Sequence, residues 1–161
     1  MAEGDALITR AEGVIVGVRT ADCVPILLAD PQTRAVGAVH AGWRGTASGI
    51  VQTAVRDMAQ QFGSSPNDII AAIGPSIGGC CYQVGTDVAR RFETWLPEMG
   101  QSAEPSLLDL RLVNQLQLRA LGVTAIWVSD ECTFCNICYS SYRREGAAAG
   151  RMLAFVGSRK L

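Results

Sequence analysis

Three short clusters in this sequence combine residue types that can do chemistry: a thiol, an imidazole, a guanidinium and glycine-rich turns. They read Thr20-Ala21-Asp22-Cys23-Val24-Pro25, His40-Ala41-Gly42-Trp43-Arg44-Gly45 and Gly74-Pro75-Ser76-Ile77-Gly78-Gly79-Cys80-Cys81-Tyr82. Each cluster stands at one end of a short apolar run that is typical of a buried strand. Because α/β proteins bind their ligands at strand ends, the three clusters are candidate site segments.

The second cluster has the features of an anion-binding segment. Gly42 and Gly45 would let the backbone approach a ligand closely, and a helix predicted to begin at Thr46 would direct free N–H groups at an anion. Arg44 adds a planar guanidinium that suits phosphate or carboxylate. The alternative is an ordinary tight turn that carries a solvated arginine.

Cys23 and His40 form a candidate reactive pair. His40 ends one apolar run and Cys23 precedes another. Together they could bind a metal ion, or Cys23 could be a nucleophile with His40 as its base. Taken separately, a small buried thiol and a hydrogen-bonded imidazole are both common in cores. Both interpretations stay open, because spacing along the chain does not show that the two side chains meet.

Cys132, Cys135 and Cys138 form a double C-x-x-C motif. This spacing can hold zinc or an iron–sulfur centre if a fourth ligand is present. No cysteine follows Cys138, so Cys80 or Cys81 would have to supply that ligand. The alternative is a thiol-rich strand edge without metal.

Composition disfavours several classes of function. The 161 residues carry 14 Lys+Arg against 15 Asp+Glu, a formal net charge of −1, which disfavours nucleic-acid binding driven by charge. No apolar run approaches the ~18 residues of a membrane span. The acidic start Met1-Ala2-Glu3-Gly4-Asp5 is unlike a secretory signal, so we expect a cytoplasmic protein with six free thiols. A single histidine is too few for a blue-copper or multicopper centre built from this chain alone.

Hydrophobic patterning predicts the strands that must position these clusters. Short apolar, β-branched runs indicate strands at residues 6–9, 14–18, 24–29, 36–40, 69–73, 123–128 and 152–156. Helices are expected between several of them. We therefore expect one domain over residues 1–161, of the α/β class, with layered α/β/α architecture and a mixed sheet.

Helical periodicity predicts three helices. The first spans 46–62, with Thr46 as its N-cap and Gly63 as its C-terminal stop. The second spans 86–96 and ends at Pro97. The third spans 109–120, and its expected inward residues are Leu112, Val113 and Leu116.

Together and in this order, the clusters resemble the bacterial YfiH-like family, also called the multicopper polyphenol oxidase or laccase-domain family. Its members are usually described as purine nucleoside phosphorylases. The resemblance runs from about Gly4 to Phe155. Besides the three clusters it includes Gly4-Asp5-Ala6-Leu7-Ile8-Thr9, Leu108-Asp109-Leu110, Asn114, Cys132-Thr133 and Ser141-Tyr142-Arg143-Arg144-Glu145-Gly146.

The resemblance implies a zinc ion bound by one cysteine and two histidines. The Thr-Ala-Asp-Cys motif places the cysteine ligand at Cys23, and the His-Ala-Gly-Trp-Arg-Gly motif places one histidine ligand at His40. The other histidine belongs to a family motif that has no counterpart in this sequence. The N-terminal strands of the family fold have no counterpart here either. Catalytic zinc has three protein ligands, so the third would come from an upstream segment, a partner chain, Cys80 or Cys81. An edge left by the absent strands favours a homodimer.

The implied activity is phosphorolysis of purine nucleosides such as adenosine, inosine and methylthioadenosine, with adenosine deamination as a second activity. The implied ligands are a small nucleoside and phosphate, with no nucleic acid and no membrane, and zinc suits this site better than the copper of the family label. The expected catalytic residues are Cys23, His40 and Arg44. The expected substrate-binding residues are Asp22, Arg44, Gly45 and Arg143, with Arg144 as a further anion candidate.

Two rival hypotheses come from different classes of protein. The first is a cysteine hydrolase in which Cys23 is the nucleophile and His40 the base. The second is a non-catalytic remnant that keeps the fold and acts as an interaction module.

Overall fold

The structure is a computed structural model that describes residues 4–100 and 105–159. Within these residues lie nine strands. They are β1 (Ala6–Thr9), β2 (Ile15–Thr20), β3 (Val24–Ala29), β4 (Val36–Ala41), β5 (Ile70–Ile73), β6 (Gln83–Val84), β7 (Ser106–Leu107), β8 (Ala125–Val128) and β9 (Met152–Gly157). The seven predicted strands are confirmed, with ends that differ by at most two residues. The pair β6 and β7, two residues each, was too short for patterning to reveal.

The same residues form six helices. They are α1 (Trp43–Ala47), α2 (Ile50–Phe62), α3 (Thr86–Ala89), α4 (Pro97–Gly100), α5 (Leu110–Ala120) and α6 (Tyr142–Glu145). Single 3-10 turns lie at Pro66–Asp68, Arg90–Phe92 and Gly146–Ala148. In the described part of the chain, no helix combines the length and the hydrophobicity that a bilayer-spanning segment needs.

The main sheet has five strands in the order β1-β4-β3-β5-β8. Strand β4 pairs antiparallel with β1 and β3, β3 pairs antiparallel with β5, and β5 pairs parallel with β8. A parallel pair needs a crossover connection, and α5 lies in the one that joins β5 to β8. The predicted α/β class and mixed sheet are therefore confirmed.

Two layers cover this sheet. Helix α2 packs on β1 and β4, and α5 packs on α1 and α2. Strands β2 and β9 form an antiparallel ribbon that packs on β3 and β4. Since Val36, Gly37, Ala38 and Val39 of β4 are all buried, this strand is covered on both faces. The cover opposite α2 is a β-ribbon, because the turns around β2 are too short to hold helices.

The predicted helix over 46–62 is wrong at its beginning. Helix α1 already starts at Trp43, so Thr46 lies inside it and is fully buried rather than acting as an N-cap. Gly49 then takes a φ of 72°, a left-handed conformation that interrupts the helix before α2. Gly63, also left-handed with a φ of 75°, ends α2 as predicted.

The other two predicted helices also need correction. The second is divided into α3 and a 3-10 turn, and Pro97 begins α4 because proline suits a first helical position. In the third, Asp109 caps α5 and Val113 is buried as expected, but Leu112 is 42% exposed. Two polar residues, Asn114 and Gln117, occupy the buried face instead.

These two buried amides hold α1 against α5. The side-chain amide of Asn114 donates to Thr46 Oγ1 at 3.0 Å and to the Leu110 carbonyl at 2.7 Å. The amide of Gln117 donates to the Thr46 carbonyl at 2.8 Å. Burying an amide donor without a partner is costly, so these contacts favour turning this face of α5 inward, although Asn114 Oδ1 and Gln117 Oε1 have no partner among the described residues.

We expect Asn114→Ala to lower the free energy of unfolding by about 1–3 kcal/mol, because the buried Thr46 hydroxyl loses its donor. Leu112→Ala on the same helix is the control, and we expect it to change stability by less than about 0.5 kcal/mol because that side chain faces solvent. Urea unfolding measures both. Equal losses from the two variants would contradict the orientation of α5.

Candidate functional site

The three sequence clusters meet in one cavity of about 510 Å³. It lies where β3 begins and β4 ends. Its walls come from all three clusters, from β2 and α5, and from the segments around β9 and α6. The lining residues are Arg19, Thr20, Ala21, Asp22, Cys23, His40, Trp43, Ile77, Tyr82, Leu110, Tyr142, Arg143 and Arg151. The structure thus brings together Cys23, His40, Asp22 and Arg143, which the sequence had singled out separately.

Cys23 and His40 lie on neighbouring strands. Cys23 immediately precedes β3, and His40 of β4 is paired with Pro25 of that strand. Gly42 lets their side chains share one space, because a Cβ at this position would lie 3.2 Å from Cys23 Sγ and 4.0 Å from His40 Cε1. A thiol and an imidazole therefore face the cavity side by side.

Asp5 fixes the orientation of the imidazole. Its Oδ1 lies 2.9 Å from His40 Nδ1, and its carbonyl accepts a hydrogen bond from the His40 backbone N–H at 2.7 Å. The hydrogen bond with Cys23, and then that with Asp5, raise the pKa of His40 from its ordinary 6.5 to about 9, although burial acts in the opposite direction. Without a metal ion, the ring is therefore an imidazolium at neutral pH.

Asp22 joins three segments of the chain. Its Oδ1 accepts from the Thr133 hydroxyl at 2.7 Å, its Oδ2 from the Arg143 backbone N–H at 2.6 Å, and its carbonyl from the Ile77 N–H at 3.0 Å. The residue is 8% exposed and has a φ of 84°. Both carboxylate oxygens are engaged within the protein, so its geometry suits positioning of the cavity walls.

Three arginine residues line the cavity, and one of them, Arg151, also donates from Nη1 to the carbonyls of Ala149 and Gly150 at 2.8 Å each. Arg143 donates to the Gln83 carbonyl at 3.2 Å and lies over the Tyr82 ring, 5.2 Å from its centroid. Arg19 of β2 and Arg151 before β9 reach the same space. The sequence analysis missed these two, because only the pairing of β2 with β9 brings them beside the motifs. The cavity is consequently suited to an anionic ligand.

Arg44 and Gly45 are not among the residues that line this cavity, although Trp43 between the cavity and Arg44 lines both this space and the next. Arg44 is inside α1, stacks on the Trp43 ring at 4.3 Å from its centroid, and lines a second cavity of about 460 Å³ with Arg91. A Cβ on Gly45 would meet Ile50 at 3.2 Å, so this glycine serves packing of α1 on α2. The helix expected to begin at Thr46 and to direct its free N–H groups at an anion does not begin there, since Thr46 lies inside the five-residue α1.

Arg144 has a structural environment, which corrects its role as an anion candidate. Its guanidinium donates to the carbonyls of Thr133 at 2.6 Å, Phe134 at 2.9 Å and Tyr139 at 2.6 Å, and pairs with Glu145. These bonds use the donors that an anion would need. Arg144 therefore holds the loop after β8 in place.

Cys80 and Cys81 do not line the cavity, so they are not placed to complete a metal site with Cys23 and His40. The turn that begins at Gly78, whose carbonyl accepts from the N–H groups of Cys81 and Tyr82 at 3.0 Å each, carries Tyr82 into the cavity. The two thiols lie instead with Cys132 and Cys135.

Comparison with known proteins finds a matching family and several similar proteins. The family model described as multi-copper polyphenol oxidoreductase laccase matches residues 1–159. The chain is 42% identical over 160 residues to a purine nucleoside phosphorylase of Deinococcus radiodurans, covering 96% of this chain and 61% of that protein. It is 40% identical over 156 residues to adenosine deaminase RL5 from an unknown prokaryotic organism, covering 91% and 59%.

A solved structure shares the fold. The crystal structure of YlmD from Geobacillus stearothermophilus matches with a TM-score of 0.89 and 42% identity, covering 97% of this chain and 61% of that chain. The chain thus spans about three fifths of the length of these relatives. The similarity extends over nearly all of the described residues.

His40 is the single histidine of the chain, so NMR can follow its titration without overlap. In metal-free protein we expect a pKa of about 9. Because this pKa is raised above 6.5, the stability that the pair contributes is complete below about pH 6.5 and is lost as pH rises through about 9. Cys23→Ser should shift the titration downward. A midpoint near 6.5 in the unsubstituted protein would contradict the contact.

Proposed function

This chain belongs to the multi-copper polyphenol oxidoreductase laccase family, and on that premise we propose that it catalyses phosphorolysis of purine nucleosides. One observation carries the proposal: a single cavity is lined by aromatic residues, three arginines and the Cys23–His40 pair. The names of the relatives, a purine nucleoside phosphorylase and an adenosine deaminase, point to the same substrate class. Adenosine, inosine and methylthioadenosine are the substrates we propose.

The cavity suits a nucleoside in size and in chemistry. Its volume of about 510 Å³ falls within the range of ~300–1,000 Å³ that small-molecule sites occupy. Trp43, Ile77 and Leu110 offer apolar surface to a purine base. Burial raises the pKa of Tyr82, so its phenol stays protonated and can donate a hydrogen bond. The buried Thr20 hydroxyl makes no hydrogen bond with any residue in the described ranges.

The guanidinium groups suit the other substrate, phosphate. In phosphorolysis a phosphate oxygen bonds to C1′ of the ribose, the bond from C1′ to the purine nitrogen breaks, and the base leaves with that electron pair and takes up a proton. Arg143, Arg19 and Arg151 would neutralise the phosphate charge and hold it against the ribose. Asp22 supports this by fixing the backbone of Arg143.

Zinc fits the Cys23–His40 pair chemically. A thiolate and an imidazole are preferred zinc ligands, and the Asp5 hydrogen bond at Nδ1 is the kind of contact that orients a ligating histidine. A bound zinc ion would polarise an oxygen or activate a water molecule. Among the described residues that line the cavity there is no third thiol or imidazole, so we expect weak binding. Copper of the multicopper type does not fit, because the chain has one histidine.

A second candidate function is favoured by the same contacts. Cys23, His40 and Asp5 follow one another as nucleophile, base and orienting carboxylate would in a cysteine hydrolase. The two functions make different use of the thiol: zinc would occupy it, whereas a hydrolase needs it free. Access to Cys23 in the presence of zinc therefore separates them.

A homodimer stays a prediction. Three large apolar side chains of the ribbon, Ile15, Leu153 and Phe155, are each more than half exposed. Exposed apolar patches often contact another chain. This surface would suit a second copy better than the cavity rim, which carries the arginines.

We expect Arg143→Gln to weaken phosphate use by roughly tenfold to a hundredfold, because a charge-assisted hydrogen bond is lost. Arg44→Gln is the matched control and should leave phosphate use nearly unchanged, since Arg44 lines the other cavity. The readouts are release of hypoxanthine from inosine at varied phosphate, and phosphate binding by calorimetry. A larger effect of Arg44→Gln than of Arg143→Gln on phosphate use would indicate that Arg44 belongs to the phosphate site. Binding of neither inosine nor phosphate would favour the interaction-module hypothesis.

Zinc in excess should protect Cys23 from alkylation by iodoacetamide, and His40→Ala should remove that protection because one of two ligands is lost. Peptide mapping by mass spectrometry reports on each cysteine separately. Exposed Cys138 is the internal control and should react equally with and without zinc. Equal labelling of Cys23 in both conditions would count against zinc and favour the cysteine hydrolase.

A further inference from the structure

Four thiols outside the cavity converge on one point. The Sγ atoms of Cys80, Cys81, Cys132 and Cys135 all lie within 4.8 Å of one another. Cys81 and Cys135 are 3.2 Å apart, Cys80 and Cys81 3.5 Å, and Cys80 and Cys135 3.8 Å. The proposed phosphorolysis uses none of these side chains.

This spacing matches a tetrahedral metal site. Four sulfur atoms at ~2.3 Å from zinc stand about 3.8 Å from one another. A disulfide would require ~2.05 Å, which none of the four thiols has. Tetrahedral sulfur coordination selects zinc or iron over harder cations. We propose that Cys80, Cys81, Cys132 and Cys135 bind one zinc ion as a closed, structural site.

The backbone around the cluster suits a metal thiolate. The Gly78 N–H donates to Cys132 Sγ at 3.2 Å. A side chain at Gly78 would crowd the site, since its Cβ would lie 3.3 Å from Cys80 Sγ. Glycine at this position leaves room for Cys80 Sγ and for the Arg111 guanidinium, whose Nη2 would lie 2.9 Å from that Cβ.

The topology of the sheet explains why the thiols meet. Cys80 and Cys81 belong to the loop after β5, and Cys132 and Cys135 to the loop after β8. Because β5 and β8 are parallel neighbours, the two loops leave the same edge of the sheet. They also share a bridge between Ser76 and Cys132, and the Thr133 N–H donates to the Ser76 carbonyl at 3.1 Å.

A zinc ion here would support the walls of the cavity without lining the cavity itself. The first loop carries Ile77 and Tyr82 into the cavity wall, and the second carries Thr133, which binds Asp22. Four protein ligands leave no open coordination position, so the ion would stabilise structure rather than activate water. Cys80 and Cys135 are exposed whereas Cys132 is buried, so zinc can enter from one side.

Cobalt titration of the reduced, metal-free chain tests the site. Cobalt in four thiolates gives an intense sulfur-to-metal charge-transfer absorption, which zinc then displaces. We expect this signal in the unsubstituted chain and its loss in Cys135→Ser, with zinc affinity reduced at least about tenfold. Cys138→Ser removes a neighbouring exposed thiol outside the cluster and should keep the signal. Zinc should raise the melting temperature of the unsubstituted chain and of Cys138→Ser by more than that of Cys135→Ser, in which only the Cys23–His40 pair would be left to bind zinc.

The outcomes of this titration can be distinguished from those of the experiments that test the proposed function. Cys23→Ser should keep the tetrathiolate signal, and its loss in that variant alone would place the metal in the cavity and overturn the proposal. Equal loss in Cys138→Ser and Cys135→Ser would also overturn it. So would a reduced chain that shows no cobalt–thiolate signal. If Cys135→Ser does not fold, Cys80→Ser at an exposed position provides the same test.

Discussion

The carboxylate of Asp22 is the contact on which the cavity depends. It is buried, its backbone is left-handed, and it joins the end of β2 to Thr133 in one distant loop and Arg143 in another. Without it, the buried Thr133 hydroxyl would lose its acceptor at a cost of about 1–3 kcal/mol, and the partly buried Arg143 N–H would lose its acceptor as well. Packing alone does not specify this arrangement, since the loops concerned are polar. One hydrogen-bonded carboxylate therefore sets the shape of the cavity.

Asp22 and its neighbour Cys23 divide two tasks. Asp22 has both carboxylate oxygens engaged within the protein and shapes the walls, whereas Cys23 turns its thiol towards His40. The reactive pair has a separate support in Asp5, which immediately precedes β1 of the main sheet. The scaffold and the chemistry are thus held by different carboxylates. A change in one of them need not disturb the other.

Much of this architecture could be predicted from the sequence, and the failures have identifiable causes. Apolar runs located the main strands, because burial on both faces leaves a simple pattern. Because their motifs lie at strand ends, Cys23 and His40 could be predicted as site residues. The start of α1 was missed because buried Thr46 pairs with Asn114, a contact between distant segments. Arg19 was missed for a similar reason, since only the pairing of β2 with β9 brings it to the site. Local patterns do not encode such long-range pairings.

The missing side chain at Gly42 has an evolutionary consequence. A single methyl group at this position would stand 3.2 Å from Cys23 Sγ, tight enough to push the thiol away from the imidazole. The fold itself would tolerate alanine there, since Gly42 has an extended backbone conformation open to any residue. Selection for the Cys23–His40 pair, and not for stability, would therefore keep this glycine. A descendant that abandoned the chemistry would be free to lose it, so position 42 records whether the pair is still in use.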